Sequence, residues 1–291
     1  MRRRQVLGSG GLLLAGCAAT PAAAEDRIVD TASGREIGRG ELVARLRAAD
    51  LVLLGEQHDN VHHHRRRAAL ITELSAAPGA ATVIVAEHLP RGQRVGPGAE
   101  PLSRLQAAGF DPKGWGWPQH EGLFAPLLAA GIPVLGGNAP LDVVRAVARQ
   151  GDAALPPDLA AAIAAAPLPP AAQAALDHEL LDSHCGQLPA ARVPAMRAAQ
   201  RLRDASMAAA LLAAADAGAK PALLVAGNGH VRSDLGVPVL LRAQRPALRI
   251  VSVCFVESDA STMPCDYRWI TPGPPTPRQD PCAGFKMPAR G

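Results

Sequence analysis

The stretch LVLLGEQHD, residues 51–59, decides the fold of this chain, because four apolar residues run directly into Glu56 and His58. Four further apolar runs end in the same way: TVIVAEH at 82–88, IPVLGGN at 132–138, ALLVAGNGH at 222–230 and IVSVCFVE at 250–257. Short apolar runs separated by helical patterns are typical of buried parallel strands. We therefore predict an α/β fold with a central, mostly parallel sheet flanked by helices.

The polar residues that follow these runs predict one ligand site. The carboxyl ends of parallel strands meet at one edge of a sheet, and open α/β sheets bind ligands in the crevice beyond that edge. A carboxylate at the end of a strongly apolar strand, such as Glu87, is costly to bury without a partner. The residues expected to line the site are Glu56, His58, Glu87, Asn138, Asn228 and His230.

Two segments between the strands are expected to cover this edge. Residues 140–217 contain no strand pattern and predict an all-helical insertion of four helices separated by proline-rich breaks. Asp204 lies on the last of these helices and could close the pocket. Residues 91–118 predict a long irregular loop, rich in Gly and Pro, of the kind that often binds ligands.

The residue types at the strand ends leave three kinds of chemistry open. Glu56 and His58 are two apart, so in an extended segment they face the same way. An imidazole beside a carboxylate can serve as a general base, a metal ligand or an oriented axial ligand. His62, one turn further, is a further candidate for binding a cofactor, and His58, Glu87 and His230 are the candidate metal ligands. His88 and Glu257 are expected to be exposed.

The composition narrows the class of partner. The chain has 291 residues, a formal net charge of +4 and only 3% aromatic residues. Its arginines are scattered and form no basic stripe interleaved with aromatics, so nucleic acid is not an expected partner. A homodimer is left open.

The N-terminus is typical of an export signal. Residues 1–4 are basic, and Val6 to Ala15 form an apolar segment too short to act as a stop-transfer helix. Leu14-Ala15-Gly16-Cys17 matches a lipobox, so we expect residues 1–17 to be a lipoprotein signal and Cys17 to be acylated. Arg3-Arg4 also fits the twin-arginine export pattern. The predicted location is the cell envelope, lipid-anchored, at the outer membrane if the cell has two.

The remaining cysteines suggest one disulfide. Cys254 lies in an apolar run and is expected to be a buried hydrophobe. Cys265 and Cys282 flank a proline-rich segment, and in an oxidising compartment we expect them to pair. Cys185 follows His184, but this pair has no CxxC companion and gives only a weak indication of zinc.

Six blocks of sequence, in order, resemble the ChaN-type haem-binding lipoproteins, relatives of the Tiki proteases and erythromycin esterases. The blocks are LVLLGEQHDNVHHH, VIVAEHLPR, VLGGN, HCGQLP, AQRLRDASMAAAL and LLVAGNGHVRSDLGVP. The resemblance covers about residues 40–270, and it implies an α/β fold, an envelope location and a role in haem or iron acquisition. Around this domain we expect a tether and lead-in segment at 18–39 and a proline-rich tail at 271–291.

One departure bears on how haem would be held. The resemblance implies tyrosine ligation, but the chain has one tyrosine, Tyr267, which follows the last apolar run and which we do not assign as a ligand. His120 or Phe124 stands where relatives carry an aromatic residue. We expect a binding protein for haem or iron rather than an enzyme. The alternative is a metal-dependent or His/Glu-based hydrolase, an esterase or peptidase. In it His58 acts as base or metal ligand, Glu56 and Glu87 orient it or hold a divalent ion, and Asn228 steadies an oxyanion.

Overall fold

The computed structural model describes residues 26–284, which form a single nine-stranded sheet with ten α-helices. The strands are β1 (Arg27–Asp30), β2 (Glu36–Ile37), β3 (Leu51–Leu54), β4 (Val83–Pro90), β5 (Arg94–Val95), β6 (Val134–Asn138), β7 (Ala222–Val225), β8 (Ile250–Val256) and β9 (Tyr267–Ile270). Their order across the sheet is β2-β1-β9-β8-β3-β7-β4-β6-β5.

The helices flank this sheet and also form the insertion. They are α1 (Arg39–Arg47), α2 (Val61–Ser75), α3 (Pro101–Ala107), α4 (Glu121–Ala129), α5 (Leu141–Gln150), α6 (Pro157–Ala164), α7 (Pro170–Ser183), α8 (Val193–Asp216), α9 (Asn228–Val231) and α10 (Val237–Gln244). None of the helices between residues 26 and 284 is both long enough and apolar enough to cross a membrane.

The predicted α/β fold is confirmed, and the five apolar runs are β3, β4, β6, β7 and β8. These five and β9 run parallel, while β1, β2 and β5 are antiparallel additions at the two edges. Each central strand is buried on both faces: one face packs against α1, α2 and α4, the other against α8 and α10. Continuous apolar strands are what such a doubly covered sheet requires.

The insertion at 140–217 contains the four expected α-helices, α5 to α8, and α8 fixes it to the sheet. The Ser206 hydroxyl on α8 donates to the carbonyl of Gly137 in β6 at 2.8 Å. Leu202, Ala205 and Met207 on the same helix are fully buried against the sheet. This packing holds α8 beside the carboxyl ends of β4 and β6.

Five short elements differ from the expectations, and one of them is β5, which like α3 lies inside the 91–118 segment. β1 and β2 lie within residues 18–39, so the described part of that segment belongs to the sheet, and β9 pairs with β1 and β8. α3 lies inside the 91–118 segment that was expected to be irregular throughout. Strands of two to four residues are too short to show a period, and their place is set by the neighbouring strand they pair with.

The expected pairing of Cys265 with Cys282 is wrong. Cys265 pairs with Cys254 of β8, at a Cα–Cα distance of 5.9 Å, and Cys282 pairs with Cys185, at 5.5 Å. The reason is geometric: a disulfide needs Cα atoms less than about 7 Å apart, and the segment that leads into β9 passes Cys254 of β8 at that distance. Cys17 and the signal expected at 1–17 lie outside the described residues.

Candidate metal centre

Glu56, just beyond the end of β3, is the centre of a group of imidazole rings. Its carboxylate is fully buried. Its Oε1 lies 2.8 Å from Nδ1 of His58, 3.3 Å from Nε2 of His88 and 3.4 Å from Nε2 of His120. Its Oε2 lies 3.2 Å from Nε2 of His64. Four histidines from separate parts of the chain therefore converge on one carboxylate.

Four parts of the chain bring these side chains together. The loop at 55–60, which we call the centre loop, joins β3 to α2 and carries Glu56 and His58. α2 begins after Asn60, whose side-chain oxygen accepts from the backbone N–H of His62 at 2.8 Å, a standard N-cap that orients the first turn and its His64. His88 lies within β4, and His120 immediately precedes α4.

The rings of this centre are held neutral. Burial lowers the pKa of His120 to about 2 and the pKa of His88 well below its ordinary range. Burial also lowers the pKa of His64, and it lowers that of His58, which keeps 46% of its side chain exposed. A neutral imidazole presents a free nitrogen lone pair, which is the form that binds metal ions.

Several polar atoms of the centre lack a hydrogen bond. Both ring nitrogens of His88 and of His120 are buried without a hydrogen-bond partner. Each such buried polar group costs on the order of 1–3 kcal/mol, so native structures seldom keep several together. Their lone pairs would be satisfied by a cation placed among them.

The orientation of His64 also calls for a positive charge. Its Nδ1 lies 2.7 Å from the backbone carbonyl of Gln119, which can only accept, so this nitrogen carries the proton. In the neutral ring Nε2 is then a lone pair, and it faces Oε2 of Glu56 at 3.2 Å. Two acceptors in contact repel each other, and the guanidinium of Arg67, which pairs with the same Oε2, supplies the positive charge that offsets this contact.

The donor set fits one metal ion. One ligand atom from each of Glu56, His58, His88 and His120 lies within 4.8 Å of the other three. Three imidazoles and one carboxylate suit zinc, iron and similar transition metals better than magnesium or calcium, which prefer oxygen. Fully buried Arg67 pairs with Oε2 of Glu56, and burial lowers the pKa of this arginine to about 9. Because Arg67 compensates the carboxylate, affinity would come from coordination rather than net charge.

A second cluster, which we call the ion cluster, lies beside this centre. Glu87 Oε1 lies 2.7 Å from Nη2 of Arg203 and 3.3 Å from Nε2 of His230, and its Oε2 accepts from the backbone N–H of Gly227 at 2.8 Å. Nδ1 of His230 lies 2.6 Å from Oδ1 of Asp204. Burial raises the pKa of Asp204 and by itself would lower that of His230, but the two carboxylates raise the pKa of His230 to about 9.

His230 is therefore a cation at neutral pH and offers no lone pair to a metal. Burial by itself would raise the pKa of Glu87, but the positive charges of His230 and Arg203 hold it well below its ordinary range. The expected metal set of His58, Glu87 and His230 is thus divided. His58 belongs to the centre, the other two are paired with each other, and 3.9 Å separates Nε2 of His58 from Oε2 of Glu87.

Comparison with known proteins agrees with this arrangement. A profile described as haem-binding uptake, Tiki superfamily, ChaN, matches residues 42–241, which is more than half of the chain. The chain belongs to this family. A search among curated proteins found no match.

The fold of this ChaN-family chain is similar to solved structures. ChaN of Campylobacter jejuni, described as showing cofacial heme binding, superposes with a TM-score of 0.69 at 18% identity, covering 86% of this chain and 98% of that one. The type III effector HopBA1 gives 0.40 at 15% identity, with coverages of 80% and 91%. An erythromycin esterase in its open conformation gives 0.38 at 16% identity, with coverages of 80% and 78%. At 18% identity the likeness to ChaN of Campylobacter jejuni shows the fold alone.

The family implies haem, and the residues present allow one point of approach. Tyr267 is 8% exposed and its hydroxyl accepts from Nη1 of Arg45 at 2.8 Å, so it faces the core. His88 and His120 are buried. His58 is the ring of the centre that reaches solvent, and the Trp115 ring lies 5.2 Å from it, centroid to centroid. The chemistry fits a haem iron through His58, whose Nδ1 is oriented by Glu56.

The other expected site residues are near the edge but have different roles. The amide nitrogen of Asn138 donates to the backbone carbonyl of Glu87 at 3.0 Å, and that of Asn228 donates to Phe255 at 2.7 Å. Both therefore tie strand ends together. His62 is half-buried on α2, and it contacts none of the ligand atoms described above. Residues two apart on a helix point about 200° apart, so it is His64 that faces Glu56.

Sequence reasoning missed part of this centre. His88 was expected to be exposed, which is wrong: it is 2% exposed. His88 follows Glu87 directly, and on a strand buried on both faces neighbouring residues both enter the interior. The position of His88 next to Glu87 in an apolar strand was therefore the sequence signal that could have predicted its burial. His120 was named only through the family resemblance, and no local signal places it in this centre, since it reaches the centre through the packing of α4 on α2.

Proposed function

We propose that this protein binds iron at the carboxyl edge of its sheet, as a bare ion or as haem, and serves haem or iron acquisition at the cell envelope. The observation that carries the proposal is the convergence of neutral, unpartnered imidazoles on Glu56. Membership of the haem-binding ChaN family supports the same ligand class. The envelope location rests on the lipobox sequence ending at Cys17.

The two forms of the ligand use different parts of the centre. A bare ion would be held by Glu56, His58, His88 and His120 together. Haem would be held through His58, the exposed ring, with Trp115 beside it. His58 is common to both, so variants at the buried histidines separate the two forms.

The first test is binding of a metal probe to protein purified without its first 17 residues. We expect cobalt(II) to bind and give visible absorption typical of a nitrogen-rich site. His88→Ala and His120→Ala should each weaken binding more than about 100-fold, since even residues that only support a ligand contribute 10–100-fold. His178→Ala is the matched control, because His178 is an exposed histidine paired with Asp182 on α7. Parental cobalt affinity in both buried-site variants would refute the ion site.

The second test is a haem titration. We expect a shifted Soret band in the parent and its loss in His58→Ala, while His88→Ala and His120→Ala keep it.

Acylation is tested separately, by the intact mass of membrane-extracted protein, which should carry a lipid increment that disappears in Cys17→Ser. Protein of unmodified mass would contradict the lipid anchor.

A second candidate function is hydrolysis, and the ion cluster favours it. Glu87 is an ionised carboxylate and His230 an imidazolium, and both lie beside the solvent-exposed His58. Together they offer a proton acceptor and a proton donor next to the centre, and a divalent ion would supply Lewis acidity there when bound. Ester or peptide hydrolysis that depends on His58 and Glu87 would decide in favour of this candidate.

A further inference from the structure

The described part of the chain after β9 is held in place although it forms neither helix nor strand. Residues 271–284, which we call the strap, begin with the backbone N–H of Thr271 donating to the carbonyl of Val256 at 2.8 Å. Near its far end Cys282 forms a disulfide with Cys185. An irregular segment fixed at both ends in this way is positioned by its contacts rather than by secondary structure.

The first set of these contacts is with the centre loop. The side-chain nitrogen of Asn60 donates to the carbonyl of Pro272 at 2.9 Å and to Oε1 of Glu257 at 2.6 Å. Arg278 donates from Nη2 to Oδ1 of Asp59 at 2.7 Å and from Nη1 to Oε2 of Glu257 at 2.7 Å. Asp59 and Asn60 directly follow His58, so the strap holds the loop that carries the exposed ring.

The second attachment is to the helical insertion. Cys185 lies two residues after the end of α7, and α7 is tied to α8 by the Arg197–Asp177 ion pair, at 2.7 Å. α8 carries Arg203 and Asp204 of the ion cluster. The strap thus connects the two sides of the site, the centre loop on the sheet and the insertion that covers it.

The sequence of the strap suits this role. The run TPGPPTPRQDPC, residues 271–282, has five prolines and only one glycine. Proline fixes φ and reduces the number of unfolded conformations, so an extended path costs less entropy to hold. Arg278 is the strap's one arginine among the described residues, and both of its carboxylate partners lie at the strand-end edge.

We propose that residues 271–284 act as a strap that fastens the centre loop to the helical insertion and thereby restrains exchange of the ligand at His58. Two interactions hold the strap in place, the Arg278 ion pairs and the Cys185–Cys282 disulfide. The fastening follows from the contacts alone. The restraint on ligand exchange rests on the proposed metal site.

The test compares the full chain with two variants that each remove one of these interactions, which we call the opened variants. They are Arg278→Ala and the double variant Cys185→Ser/Cys282→Ser. Hydrogen exchange of the backbone amides of residues 55–61, followed by mass spectrometry without metal, reports the fastening. We expect exchange at least about 10-fold faster in both variants, with unchanged exchange in β4 and β7. Arg245→Ala is the matched control, since it removes an exposed arginine ion pair with Asp216 on the far part of α8.

A second measurement, release of bound cobalt(II) to excess chelator, reports the restraint. We expect faster release in both opened variants and parental release in Arg245→Ala. Parental exchange at 55–61 in both variants would overturn the fastening. Faster amide exchange with parental cobalt release would overturn the restraint. If the parent binds no cobalt, the proposed metal site and the restraint fail together, while amide exchange still decides the fastening.

Discussion

At the scale of single residues, burial and charge separate two groups of histidines that look alike in the sequence. Burial keeps His88 and His120 neutral although they lie beside Glu56 and Arg67, whereas His230 lies between two carboxylates that keep it protonated. The first pair can donate lone pairs to a ligand, and His230 can donate only protons. The different chemistry of the centre and the ion cluster follows from these neighbours.

The charge of His230 predicts a pH dependence of stability. Its pKa is raised from about 6.5 to about 9, so its contribution is fully present below pH 6.5 and is lost as the pH rises toward 9. We expect the free energy of unfolding in urea to fall between pH 6.5 and 9 in the parent and to change less in His230→Gln. Equal pH slopes for the two proteins would show that the native ring is not protonated.

Tyr267 gives a prediction about haem ligation. Its hydroxyl is bonded to Arg45 in the core, so Tyr267→Phe should cost about 1–2 kcal/mol of stability by removing a hydrogen bond to a charged group. Haem affinity should stay parental, because this ring does not reach the crevice. The pair of measurements is a urea titration and a Soret titration. Loss of the shifted Soret band in a folded Tyr267→Phe protein would make Tyr267 the ligand.

At the scale of elements, the residue that follows β7 at position 227 lies so close to the centre loop that the size of its side chain is limited. A Cβ at Gly227 would lie 2.8 Å from Nε2 of His58, inside van der Waals contact. Gly227 has φ −62°, so its backbone accepts alanine without strain and the conflict is with the imidazole alone. Because Gly227 has no side chain, the imidazole of His58 can occupy its observed position.

Gly227→Ala should therefore displace His58 and weaken cobalt and haem binding about 10-fold or more, with little change in the unfolding midpoint. Gly229→Ala is the matched control two residues away, since no atom lies within 4 Å of a Cβ placed there. Titrations of both variants measure the effect. Parental binding in Gly227→Ala would mean that His58 can move without consequence.

At the scale of the whole molecule, the strap connects residues that are far apart in the sequence at one edge of the sheet. Arg278 joins Asp59 and Glu257, and Cys282 joins Cys185, which is 97 positions away. Loops closed over such lengths constrain the unfolded chain strongly in the entropic account of disulfides. The insertion and the centre loop are therefore connected through the strap as well as through the core.

This coupling predicts a weakening in acid. Arg278 holds the pKa of Asp59 and that of Glu257 below their ordinary values. Their stabilisation is present above about pH 4 and is lost as the pH falls through the lowered pKa values. Arg278→Ala should destabilise the protein by about 0.5–1 kcal/mol at pH 7, a figure discounted for exposure, and by progressively less as the pH is lowered toward 2.5. Urea unfolding at both values measures this, and a constant difference would contradict it.

The sequence by itself determined the sheet and its functional edge. The five apolar runs became central parallel strands because burying such residues on both faces is favourable wherever they lie in the chain. The polar residues that end the runs had to meet, since parallel strands end at one edge. Glu56, His58, Glu87 and His230 could therefore be assigned to that edge from the sequence alone.

Only the tertiary structure decided which of these groups touch and which charges they carry. His120 enters the centre through the packing of α4 on α2, and Cys254 meets Cys265 because the segment before β9 passes beside β8. The protonation of His230 depends on Glu87 and Asp204, which come from β4 and α8. Distances between side chains distant in sequence, and the burial that shifts their pKa values, are properties of the packed molecule, and no local pattern encodes them.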